Sequence, residues 1–176
     1  MTLEDLMNQI DESDCVLIGI GEEYRVQERS KQEVLSALDG LFEIVKNKNY
    51  YVLDICDDRT IFESKFGDKK IAAPFCDYME RDEDESRANP FDRENNPTWD
   101  KYMKWLSFTL NNKLLVLELG CLMGAMELIR WPFEKTVSLN NKSKLVRINE
   151  SFPFVPAEIS EKSISVKCNS VDFFLK

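Results

Sequence analysis

Apolar residues in this chain come in short unbroken runs, separated by longer stretches where they recur every third or fourth position. Cys15 to Ile20, Tyr50 to Ile55 and Leu114 to Leu119 are runs of the first kind; Leu145 to Asn149 and Ile164 to Val166 are shorter ones. Such a run suits a strand buried on both faces, as in a parallel sheet. Strands are therefore predicted near 15–20, 51–55, 114–119, 145–149 and 164–166, with a further short one at Ile71-Ala72-Ala73. Helical spacing fills the intervals. Leu3, Leu6, Met7 and Ile10 follow a capping-box-like start at Thr2 and Asp5. Val34, Leu35, Leu38, Leu41, Phe42 and Val45 share one face of a longer helix closed by Lys46 and Lys48. Trp99, Tyr102, Met103, Leu106 and Leu110 form a third stripe, capped by Thr98, ended by Asn111-Asn112 and read as core packing. Pro132 suits the first position of another helix, and Ser170 to Leu175 closes with a helical turn.

This alternation predicts an α/β fold: a three-layer, Rossmann-like parallel sheet in which ligands bind beyond the carboxyl ends of the strands. A length of 176 residues suits one domain over 1–176. Its most polar stretch, at about 77–97, carries Glu80 to Glu85 and two prolines and reads as a solvated excursion. That stretch lacks the spaced ligands and central glycine of a calcium loop.

Composition then removes chemistry. The chain has no histidine, which excludes a Ser-His-Asp triad, a Cys-His dyad and any imidazole-ligated metal. Acid–base work would fall to carboxylates, lysines, tyrosines or thiols. With 23 basic against 32 acidic side chains, a formal charge of -9, neither nucleic acid nor an anionic membrane is an expected partner. No apolar run approaches the length needed to span a bilayer. Five dispersed cysteines with no CxxC pair give no thiolate zinc site, and their odd number reads as reduced thiols in a cytoplasmic protein. Cys15, Cys56 and Cys121 lie in or beside apolar runs and are expected to be buried.

The strand ends carry the candidate chemistry. The first strand ends Gly19-Ile20-Gly21, where glycines let backbone amides approach a pyrophosphate, yet Glu22 and Glu23 follow directly. The second ends Cys56-Asp57-Asp58, the strand at 114–119 ends Gly120-Cys121-Leu122-Met123-Gly124, and that at 145–149 ends Ile148-Asn149. Asp or Asn at such places bonds a ribose hydroxyl or, equally, caps a helix or turn.

These segments resemble the sirtuin family, and most closely its microbial, macrodomain-linked branch. Asp14 to Gly21 is similar to the family's ADAVLIGAG opening, and Tyr51 to Asp58 to its YFVLTTNVD strand. Between Lys113 and Lys167 the segments LLVLELG, LIRWPFEKTV, KLVRINESFPFVPAEI and SISV resemble that branch in the same order, so that about half of the chain is covered in all. The resemblance implies a Rossmann-like NAD-binding sheet, with Gly19, Gly21, Asp58, Gly120 and Asn149 as the surviving cofactor-binding framework.

The departures bear on function. Glu22-Glu23-Tyr24 stands where the family wraps the NAD phosphates, and Cys56 replaces the asparagine of TTNVD. The deacetylating histidine is absent. Phe75, ahead of Cys76-Asp77-Tyr78, takes the place of the glutamine before GDYG. The glycine-rich GVGFNTP loop has become Cys121 to Met126, and no four-cysteine zinc module remains. The leading expectation is a degenerate sirtuin-like module without deacetylase activity, binding a small nucleotide or an unidentified protein. One alternative is an NAD hydrolase or ADP-ribosyltransferase using Asp58 with Tyr24 or Tyr78. Another is an assembly protein whose former pocket is filled by Phe75, Met123 and Met126. NAD or ADP-ribose is expected to bind weakly if at all, through repulsion by Glu22 and Glu23, unless both glutamates point to solvent.

Overall fold

A computed structural model describes residues 1–27, 29–79 and 97–175, with no side-chain detail at 77–79 and 97. Six strands form one sheet: β1 (Cys15–Ile20), β2 (Asn49–Asp54), β3 (Ile71–Ala72), β4 (Leu114–Leu119), β5 (Lys144–Ile148) and β6 (Ser163–Val166). Their order is β3-β2-β1-β4-β5-β6, and every pair is parallel. The fold is therefore the three-layer, Rossmann-like α/β class expected from the runs. The sheet reverses direction of growth between β1 and β4, and that switch point is where such folds open a ligand crevice.

Burial on both faces explains the continuous apolar runs. Along each strand alternate residues enter opposite layers, as a period of two requires. Val16, Ile18 and Ile20 of β1, with Leu115, Leu117 and Leu119 of β4, pack on α1 (Leu3–Glu12), α2 (Lys31–Val45) and α7 (Ser170–Phe174). Leu17 of β1, with Leu114 and Val116 of β4, packs on α5 (Pro97–Phe108) and α6 (Trp131–Leu139). Two short helices, α3 (Thr60–Glu63) and α4 (Pro74–Met79), flank β3. Capping boxes start α1 at Thr2 with Asp5 and α2 at Ser30 with Glu33, each satisfying amides that a helix cannot pair internally.

The differences from expectation are local. β2 starts at Asn49 and leaves Ile55 just beyond its end. α5 starts at Pro97, placing Thr98 inside the first turn, and it stops at Phe108. Trp99 and Tyr102 are buried as predicted, but Met103 is exposed and Leu110 is 60% exposed. The half-buried Trp105 packs toward the sheet instead: it lies against Tyr51 and donates to Asn49 Oδ1. A π-turn, Met126–Arg130, leads into α6, so Pro132 is its second residue rather than its first. Of the stretch read as a polar excursion, Asp77 to Met79 lie in α4 and Pro97 begins α5; residues 80–96 lie outside those described. Among the described residues no helix is long and apolar enough to cross a membrane.

Candidate functional site

The carboxyl edge of the sheet collects the exits of β1, β2, β4 and β5. After β1 the chain passes Gly21 into a single 3₁₀ turn, Glu22–Tyr24. The Gly21 amide donates to Leu119 O at 2.8 Å, holding this exit against that of β4. A Cβ on Gly21 would fall 2.5 Å from the Cys121 Cα, so only glycine permits the approach. Gly120 adopts φ 62°, the left-handed region that glycine enters without strain. A Cβ on Gly19 would meet the Phe133 ring at 2.5 Å. At all three framework glycines the space released is taken by the chain itself.

Glu22 and Glu23 are each 8% exposed and turn inward. Glu22 Oε2 accepts the Leu122 amide at 2.7 Å, beyond β4. Glu23 Oε1 accepts the Glu150 amide at 3.0 Å, beyond β5. Glu23 Oε2 accepts both the amide of Ser170, first residue of α7, at 2.6 Å and its hydroxyl at 2.7 Å. Three main-chain N–H groups and one hydroxyl thus converge on two carboxylates, beside the point where β1 and β4 part. The two glutamates do not point to solvent, so the screened arrangement does not apply, and their oxygens take up the backbone donors of this edge.

The remaining candidates fall on either side of this pair. Tyr24 is buried, with its hydroxyl 3.4 Å from Ser170 O, and burial together with Glu23 pushes its phenol above the ordinary range. Asp58, half-buried, accepts the amides of Val26 and Thr60 at 3.0 Å each, which is the turn-forming use of an aspartate. Asn149 is fully buried; its Nδ2 donates to Cys121 O at 2.7 Å and its Oδ1 accepts the Ser151 and Phe152 amides. The Tyr78 side chain lies outside the described residues. Met123 is 68% exposed, Phe75 packs with the cluster that includes α5, and Met126 is half-buried.

Cys15, Cys56 and Cys121 are buried as expected, and so is Cys76. Burial pushes the Cys56 and Cys121 thiols well up and that of Cys76 to about 11, which leaves them protonated and unreactive at neutral pH. Among the described residues no group of three or more acidic or cysteine side chains is placed to hold a metal ion.

Two features escaped the sequence reading. Asp54, the last residue of β2, is 2% exposed, and burial raises its carboxyl to about 7, while the Cys56 amide, donating to Oδ1 at 2.9 Å, pulls the other way. The second is an ion network under α6. Arg147 Nη2 donates to Glu118 Oε2 at 2.7 Å and to Glu134 Oε1 at 2.8 Å, and Nη1 reaches Phe154 O. Arg130 stands 3.7 Å from Glu134 and donates to Phe152 O and Phe154 O, so two arginines fasten the chain leaving β5. Glu118 and Arg147 are directly paired across β4 and β5, and both are fully buried. Removing one partner of such a pair costs about 3–5 kcal/mol, because a buried charge is left uncompensated. A signal was present: Glu118 is the charged residue of β4 and Arg147 the charged residue of β5 beyond its exposed first position, Lys144, and each stands one position before its strand's end.

The sequence matches no family model, and no curated protein is significantly similar to it.

Proposed function

We propose that this chain is a sirtuin-like domain whose nucleotide crevice is closed by its own carboxylates, and that it serves as a non-catalytic interaction module. The observation that carries this reading is the pairing of Glu22 and Glu23 with the amides of Leu122, Glu150 and Ser170. Backbone amides at strand exits and a helix start are what such folds offer a pyrophosphate. Here those donors are engaged. An incoming pyrophosphate would have to replace four hydrogen bonds to charged acceptors, each worth about 1.5–3 kcal/mol, and then lie beside two displaced carboxylates. Like charges 4 Å apart repel by about 4 kcal/mol at an effective dielectric of 20. Either cost alone moves a micromolar site into the millimolar range, since 1.4 kcal/mol is tenfold. The residues present therefore do not fit NAD. The burial of Tyr24 and the turn-forming bonds of Asp58 likewise favour a scaffold over an NAD-consuming enzyme.

Calorimetric titration of NAD and ADP-ribose tests the reading. The wild-type protein should show no binding tighter than about 1 mM. A Glu22→Ala, Glu23→Ser variant should gain affinity for ADP-ribose if it stays folded. Low-micromolar NAD binding by the wild type, or release of nicotinamide from NAD, would refute the proposal.

A further inference from the structure

We infer that a groove at the opposite, amino-terminal edge of the sheet binds a small organic anion with an apolar body. The groove encloses about 560 Å³ between the end of α1, the start of β4, the turn before β5 and the segment before β6. That volume lies in the range of small-molecule sites, about 300–1,000 Å³. Four lysines line it, Lys113, Lys142, Lys144 and Lys162, against two glutamates, Glu12 and Glu161, in a chain whose formal charge is -9.

The lysines divide into two held and two uncommitted. Lys144 Nζ lies 2.9 Å from Gln9 Oε1 and 3.6 Å from Glu12. Lys162 Nζ donates to the carbonyls of Val137 and Asn140 at the negative end of α6. The ammonium groups of Lys113 and Lys142 meet no acceptor among the described residues. Two of the lysines that line the groove therefore carry a charge without a partner. The hydrocarbon stems of the lysines supply the carbon surface around them, since Leu114 and Leu115 at the start of β4 are buried. This pairing of carbon walls and compact ammonium groups suits a carboxylate or sulfonate on an apolar body better than a polyphosphate, which favours forked guanidinium donors. The carboxyl edge reinforces the preference: Glu22, Glu23 and Asp58 repel an anion there, while the lysines draw it to this end. The inference does not depend on the function proposed above.

The probe is 4-(trifluoromethyl)benzoate followed by ¹⁹F NMR, with the neutral 4-(trifluoromethyl)benzamide as its isosteric control. The benzoate should bind saturably with a dissociation constant of about 1 mM or tighter and weaken as salt rises. The amide should bind at least tenfold more weakly. A Lys113→Glu, Lys142→Glu variant should lose tenfold or more for the benzoate, and Lys31→Glu, at the start of α2 on the carboxyl side of the sheet, should lose nothing. Lys113→Gln, Lys142→Gln removes the charges without adding new ones and keeps the test sound if reversal disturbs folding. Equal binding of acid and amide, no binding of the acid, or undiminished binding by a folded double variant would overturn the inference.

Discussion

Asp54 shows how much one side chain can weigh. Its carboxyl rests near pH 7 in the fold because burial disfavours the anion; Asp58 nearby adds to the shift and Arg25 offsets part of it. An ordinary aspartate ionises near 3.8, so between that pH and about 7 the unfolded chain has lost a proton that the folded chain retains. Stability must therefore fall as pH rises through this window and level off above it. Moving the ionisation from near 3.8 to about 7 corresponds to roughly 4 kcal/mol. Asp54→Asn preserves the acceptor for the Cys56 amide and has no proton to lose. Urea unfolding between pH 4.5 and 8.5 should show the variant gaining on the wild type steadily up to pH 7, by a few kcal/mol, and no further. A constant difference across the range would show that Asp54 ionises normally in the fold.

At the scale of elements, the strands were legible and the surroundings of the charged residues within them were not. Continuous runs such as Val16-Leu17-Ile18 and Leu115-Val116-Leu117 announce a strand covered on both sides, and they sit within strands β1 and β4. The charges of Asp54, Glu118 and Arg147 were visible in these runs but their surroundings were not, because a charge in an apolar run carries no mark of whether a partner awaits it on the next strand. Helical periodicity located α5 but not its boundary: it cannot register that the helix ends at Phe108 and leaves Leu110 outside. At the candidate site the glycines were found by spacing, but the inward turn of Glu22 and Glu23 depends on amides 100 and 127 to 147 positions away, beyond any local pattern. The correction to α5 has a direct check. Leu110→Lys should change the urea-unfolding free energy by less than about 0.5 kcal/mol. Tyr102→Ala, which empties a buried ring packed on Tyr51 and Trp99, should cost about 3 kcal/mol or more. Comparable losses for the two would return Leu110 to the core.

For the molecule as a whole, the closed edge changes where motion can occur. Loops that admit ligands belong to the weakly protected part of a protein, because they must open. Here Glu23 joins the turn after β1 to the start of α7, and the Arg29–Asp172 pair, with contacts of 2.6 and 2.7 Å, ties the same two regions a second time. The amide protons of Leu122, Glu150 and Ser170 should consequently exchange with solvent deuterium as slowly as those of the β1 interior. In a fold that waits for a cofactor, the same three would be among the first to exchange. Fast exchange at these positions would mean that the carboxylates let go readily. Slow exchange would mark an edge that completes itself, with first and last parts of the chain opening together or not at all.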